Sequence, residues 1–197
     1  MMRTELINML IEKHGYKLYL EIGVNTPAQP GYNWAGINAE IKHGVDPNVD
    51  TTYRMTSDEF FESHISQNYD IVFVDGLHLS EQAHRDIIKS LEHLNDGGCV
   101  VVHDCNPTEE ITQLRERASN AWHGDVWRAI LMLRTLEPNL SMCTVDTDEG
   151  CCVIRHGSQV TMPIPSSVNP YEYSFLEKNR KQVLNLISVE EFVEHWL

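Results

Sequence analysis

Two near-continuous apolar runs, Ile71–Val74 and Cys99–Val102, flank a single amphipathic segment, and an aspartate follows closely on each run. Short runs rich in valine and isoleucine, bounded by turn residues, suit strands buried on both faces of a parallel sheet. Between them Ala83, Ile87, Leu91 and Leu94 recur at helical spacing, Ser80 reads as an N-cap, and Gly97-Gly98 lies just beyond the end. The pattern predicts a βαβ unit with a right-handed crossover. Neighbouring strands lie about 4.8 Å apart. Asp75 and Asp104 would then share the carboxyl edge of the sheet, where open α/β sheets bind ligands.

The remaining chain extends this scheme. Residues Arg3–Lys13 carry Leu6, Met9, Leu10 and Ile11 on one helical stripe, and Tyr16–Ile22 follows as a strand into Gly23. The prolines and glycines of Asn25–Asn38 favour a loop with at most a short helix. Lys42–Val45 is a brief strand, and Thr56-Ser57-Asp58-Glu59 is a capping-box pattern opening a helix over Asp58–Ile65. A helix is expected near Thr108 and a longer one over Val126–Leu136, closed by Pro138. Leu140–Val145 and Cys151–Arg155 read as a hairpin. After a loop at Gly157–Asn169, helices are expected over Tyr171–Leu186 and Val189–Leu197. The order predicts an α/β fold with a doubly wound, mostly parallel sheet, an antiparallel C-terminal edge hairpin and a helical tail. Residues 1–156 form the main domain of this reading, and 157–197 a tail packing on it or on an oligomer partner.

A chain of 197 residues can bury a full core as one domain. Its formal net charge of -14 argues against nucleic-acid and anionic membrane partners. No apolar run reaches the roughly 18–20 residues of a membrane span. Five cysteines without a Cys-x-x-Cys pair read as buried reduced thiols, and a cytoplasmic location is the expectation.

Four strand ends carry the candidate chemistry. Glu21 and Gly23 close the first strand, where a glycine lets backbone approach a ligand; a plain tight turn is the alternative. No Gly-x-Gly-x-x-Gly follows, which disfavours a dinucleotide. Asp46, closing the second strand, can accept from both hydroxyls of a ribose or begin an exposed Asp-Pro turn. Asp75, His78, His103 and Asp104 could together hold a divalent cation or orient a proton acceptor. Taken singly, Asp104 could cap the helix from Thr108 and His78 could be an ordinary loop residue. Asp146 and Asp148 read as a solvated turn, while Trp122 and His123 are candidates to line a pocket.

These residues resemble class I S-adenosylmethionine-dependent methyltransferases, in the branch of catechol-type and sugar or macrolide O-methyltransferases. Leu20-Glu21-Ile22-Gly23 is similar to the family's first motif, Val45-Asp46 to its ribose-binding position, and Ser57-Asp58 to the adenine-side position after its third strand. Phe73-Val74-Asp75-Gly76-Leu77-His78 and Val102-His103-Asp104 resemble the signatures after its fourth and fifth strands. The resemblance implies a Rossmann-like fold and S-adenosylmethionine bound by Glu21, Gly23, Asp46, Ser57, Asp58 and Asp75. It also implies magnesium or another divalent cation on Asp75 and Asp104, and His78 as general base where relatives carry a lysine. The acceptor would be a small molecule bearing a sugar or phenolic hydroxyl. Two departures stand out: Pro27 replaces a motif glycine, and Cys105 replaces a metal-ligating asparagine, beside Asn106. A metal-dependent hydrolase of similar fold and a non-catalytic binding module are the rival readings.

Overall fold

The computed structural model describes residues 1–26 and 33–197. The elements run α1 (Arg3–His14), β1 (Leu18–Ile22), α2 (Asn33–Gly36), β2 (Ile41–Val45), α3 (Ser57–Ser63), β3 (Tyr69–Val74), α4 (Ser80–Glu92) and β4 (Leu94–Val102). A single 3-10 turn (Glu110–Gln113) follows, then α5 (Trp127–Leu136), β5 (Leu140–Val145), β6 (Cys151–His156), α6 (Tyr173–Leu184), β7 (Leu186–Ile187) and α7 (Val189–His195).

The seven strands form one sheet in the order β2-β1-β3-β4-β6-β5-β7. β2, β1, β3 and β4 are mutually parallel, whereas β6 runs antiparallel to both β4 and β5. The chain thus has the doubly wound α/β architecture that its apolar runs predict. Strand alternation divides the core. Val72, Val74, Val100 and Val102 face a layer built from α3, α4, α5 and α6, while Ile71, Phe73, Cys99 and Val101 face α1 and α7. Burying each such aliphatic side chain contributes roughly 1.5–3 kcal/mol. All five cysteines are buried and free, and no described helix is long and apolar enough to cross a membrane.

Several local expectations are corrected. Helix α4 ends at Glu92, and Leu94 already belongs to β4, pairing with Tyr69. Ser80 is not its cap. Leu79 holds that position, and the Ser80 amide donates to Asp125 Oδ1 at 2.7 Å, so a distant carboxylate does the capping. No third strand precedes Ser57 as the family pattern would have it, since Tyr53 makes only an isolated bridge to Val45. The helix expected near Thr108 is only the 3-10 turn, so Asp104 does not cap it. The C-terminal hairpin is not the sheet's edge, because Leu186, expected as the last residue of a helix, joins Ile187 in β7, parallel to β5. Asn185 breaks that helix in a left-handed conformation. Of the Asn25–Asn38 segment, α2 is short as expected, while Pro27 lies outside the described residues.

Gly23 shows why the first strand must end in glycine. Its φ is +87°, and a Cβ there would lie 2.1 Å from the Asp75 carbonyl oxygen. Two parallel strand ends therefore touch backbone to backbone at the edge carrying Asp75. Gly23→Ala should lose at least about 2 kcal/mol, from overpacking and from a left-handed φ. Urea denaturation at neutral pH measures it; a loss below 0.5 kcal/mol, on the order of an ordinary surface change, would mean that the contact relaxes freely.

Candidate active site

Register brings the candidate residues together. Val74 pairs with Val102, the Asp75 amide donates to the Ile22 carbonyl at 2.9 Å, and the His103 amide donates to the Val74 carbonyl at 3.0 Å. Asp75 and His103 thus leave adjacent strands side by side, with His103 Nδ1 3.4 Å from Asp75 Oδ1. Asp104 takes a left-handed φ of +59°, a conformation that aspartate tolerates better than most residues. Its Oδ2 lies 3.3 Å from His78 Nδ1 and 3.4 Å from His103 Nδ1.

His78 is clamped from a second direction. Its Nδ1 lies 3.0 Å from the Trp122 carbonyl and must donate to it, because a carbonyl can only accept. A neutral His78 therefore carries its lone pair on Nε2, which faces Asp75 Oδ1 at 3.4 Å. The Trp122 ring stacks on the imidazole at 5.0 Å. Gly124 lies so close that a Cβ would meet the His78 carbonyl oxygen at 1.8 Å. Of the pair expected to line a pocket, Trp122 does so, whereas His123 is buried and hydrogen-bonded to Glu149 at 2.7 Å.

The charges shift one another. Burial opposes protonation of His78, but Asp75 and Asp104 outweigh it and raise its pKa. His103 is driven the same way, well above its ordinary value, by Asp75, Asp104 and Asp148 against the cost of burial. Burial raises the Asp75 carboxyl, yet the two imidazoles more than offset this and hold it well below the usual range. Asp148 corrects the sequence reading. Its side chain is 7% exposed and salt-bridged to Arg3 at 3.0 Å, and His103 and Arg3 lower its carboxyl to about 2 against the cost of burial. Asp146 is exposed, as expected, and accepts from Asn106 Nδ2 at 3.0 Å. The Asn106 carbonyl oxygen is taken by Arg180 and the Cys105 thiol faces the Val102 carbonyl, so both side chains are engaged away from Asp75.

A cleft of about 710 Å³ opens over this edge, lined by Glu21, Gly23, Asp46, Ser57, Asp58, Asp75, His78, His103 and Asp104. Asp46 is pinned by the amides of Asn25 (3.0 Å) and Asn48 (2.8 Å). Asp58 leans toward solvent in a half-exposed pair with Arg85, while Gln82 Nε2 donates to Ser57, Asp58 and Asp86. Burial pushes Asp86 up to about 6. Sequence reasoning missed Asp86, although it shares the buried stripe of Ala83, Ile87 and Ser90 on α4. It also missed Arg3, which no local pattern marks.

The family model described as "Methyltransferase domain" matches residues 8–105, which contain the first strand, Asp46 and the β3–β4 unit. This chain is a class I S-adenosylmethionine-dependent methyltransferase. No curated protein matches the methyltransferase in sequence. Solved structures share its fold. A provisionally assigned O-methyltransferase from Klebsiella pneumoniae has a TM-score of 0.56 at 15% identity, covering 79% of this chain and 80% of that one. The O-methyltransferase TomG of tomaymycin synthesis from Streptomyces achromogenes, solved with S-adenosylmethionine, gives 0.53 at 14%, covering 79% and 80%. MycE of mycinamycin biosynthesis, solved with magnesium, S-adenosylhomocysteine and mycinamycin VI, gives 0.51 at 15%; the methyltransferase covers 51% of MycE and 82% of itself is covered.

Glu21 of the methyltransferase is 2% exposed, accepts from Tyr19 OH at 2.5 Å and from Asn33 Nδ2 at 3.2 Å, and is pushed by burial up to about 8. The folded protein keeps a proton there that the unfolded chain releases above its ordinary 4.5. Stability from this group is therefore full below that value and is lost as pH rises through about 8, by up to about 1.4 kcal/mol per pH unit. Glu21→Gln removes the titration. Denaturation at several pH values should show the variant gaining on wild type between pH 5 and about 8; parallel curves would mean that Glu21 folds ionised.

Proposed function

We propose that the methyltransferase moves a methyl group from S-adenosylmethionine to a hydroxyl of a small molecule, a sugar or a phenol, with His78 as proton acceptor. The convergence of Asp75, His78, His103 and Asp104 on one rim of the cleft carries this reading. Methyl transfer needs chiefly alignment of donor and acceptor and removal of one proton.

Asp46, held at both oxygens by backbone amides, keeps lone pairs for the two ribose hydroxyls. Ser57 stands at the adenine side. Asp58 is the weaker contributor there, because Arg85 and Gln82 already occupy it. Glu21 and Gly23 line the end of the cleft nearest Asp75 and bound the methionine portion. Leu77 (55% exposed) and the Trp122 ring offer an apolar surface for the body of the acceptor.

The donor set also fits a hard cation. One ligand atom each from Asp75, His78 and Asp104 lies within 4.8 Å of the others, and His103 Nδ1 is buried beside them without a hydrogen-bond partner. A divalent ion on the Asp75 and Asp104 carboxylates would supply Lewis-acid polarisation of the acceptor hydroxyl. MycE, of similar fold and solved with magnesium, supports this reading. Water must complete the shell, since neither Cys105 nor Asn106 faces the site.

Asp46→Ala should weaken S-adenosylhomocysteine binding at least about tenfold, the cost of losing charge-assisted hydrogen bonds; unchanged affinity by isothermal titration would remove the ribose assignment. His78 must be neutral to accept a proton. Its pKa is raised, so kcat/KM without added cation should climb with pH through a limb above 6.5. Added magnesium, competing for the same carboxylates, should move that limb to lower pH. His78→Ala should erase the limb and lower turnover by about 100-fold or more. A variant retaining full turnover would exclude His78 as the base.

A further inference from the structure

We propose that Arg3 receives the carboxylate of the cofactor's methionine moiety, and that Asp148 is the positioning residue that aims it. The inference rests on S-adenosylmethionine occupying the cleft as described above. Among the described residues, six acidic side chains line that cleft, Glu21, Asp46, Asp58, Asp75, Asp86 and Asp104, against the arginines Arg3 and Arg117 and the imidazoles of His78 and His103, which Asp75 and Asp104 already engage. An amino-acid carboxylate entering such a field needs a cation at its own end of the site. Arg117 is spent on the carbonyls of Ser119 and Asn120 in an exposed loop.

Arg3 is built differently. Asp148 accepts from the Arg3 backbone amide at 2.7 Å and from Nη1 at 3.0 and 3.2 Å, so the carboxylate grips both ends of the residue. Nη1 also lies 3.5 Å from His103 Nε2. The buried Nε has no hydrogen-bond partner, and Nη2 donates to none of the described residues. The guanidinium is thus fixed on one edge while N–H groups remain for a second, planar oxyanion, the fork geometry that suits a carboxylate.

Position selects which carboxylate. Arg3 sits at the ends of β4 and of the β5–β6 turn, while Asp46 follows β2, three strands away in the sheet. Three strand spacings are about 14 Å, a span suited to an extended nucleoside with an amino-acid arm. Asp75, the ionised acid of this end, acts on the Arg3 charge, so a carboxylate for the cofactor's ammonium and a cation for its carboxylate share one end. The neighbouring His103, Asp148 and Cys151 cluster has metal-ligand spacing, but the Arg3 charge and a thiol pushed up to about 12 oppose a cation there.

Isothermal titration of the full chain with S-adenosylhomocysteine and with its decarboxylated analogue, S-adenosyl-3-thiopropylamine, tests the inference. Wild type should bind the decarboxylated ligand at least tenfold more weakly. Arg3→Gln should bind both ligands alike, at the weaker affinity, and Arg3→Lys should recover part of the difference. Equal affinity of wild type for the two ligands overturns the assignment, and this arm holds even if Arg3→Gln fails to fold. Equal loss of both ligands in Arg3→Gln also overturns it, as does unchanged S-adenosylhomocysteine affinity with a raised acceptor KM, which would give Arg3 to the acceptor. Wild type binding neither ligand would instead defeat the cofactor reading itself.

Discussion

The parallel pairing of β3 with β1 on one side and β4 on the other is the constraint on which the rest of the molecule depends. Its last rungs, Asp75 to Ile22 and His103 to Val74, are ordinary backbone hydrogen bonds. They lie at the point where the sheet stops being apolar. One residue earlier the side chains are Val74 and Val102, both buried; one residue later they are Asp75 and His103. The register that hides the valines therefore sets the spacing of the charges, and a slip in one would move the other.

Concentrating so much charge at a partly buried edge is costly unless it is paired. Three carboxylates (Asp75, Asp104, Asp148) face Arg3 and two imidazoles whose pKa values are raised in response. The cluster is held by elements far apart in the chain: α1 supplies Arg3, the β3 and β4 ends supply the central group, and the β5–β6 turn supplies Asp148. The segment around Trp122–Asp125 locks the loop bearing His78, through Gly124 packing on the His78 backbone and Asp125 capping α4. The site is thus stiffened from several directions, as the alignment of donor and acceptor in methyl transfer requires.

Much of this was legible in the chain. The two apolar runs with an amphipathic segment between them specify a βαβ unit because only buried parallel strands read that way, and the acids just past each run mark its ligand edge. The capping box at Thr56–Glu59 likewise announces α3 correctly. What sequence misread was local context decided elsewhere. Asp148 looks like a solvated turn residue until α1 covers it with Arg3. Ser80 looks like a cap until Asp125, from another segment, takes the Ser80 amide. Leu186 reads as the end of a helix until the edge of β5 recruits it, with Ile187, as a strand.

The sequence by itself determined the periodicities: which residues alternate, which stripe a helix buries, and that Asp75 and Asp104 each end an apolar strand. Those follow from backbone geometry repeated every two or 3.6 residues and need no knowledge of distant partners. Only the tertiary structure decided the site's charge balance, the tautomer of His78, the burial of Glu21 and Asp86, and the presence of Arg3 in the cleft. Each depends on groups brought together across many residues of chain, where desolvation and Coulomb interactions act through space and leave no periodic trace in the sequence.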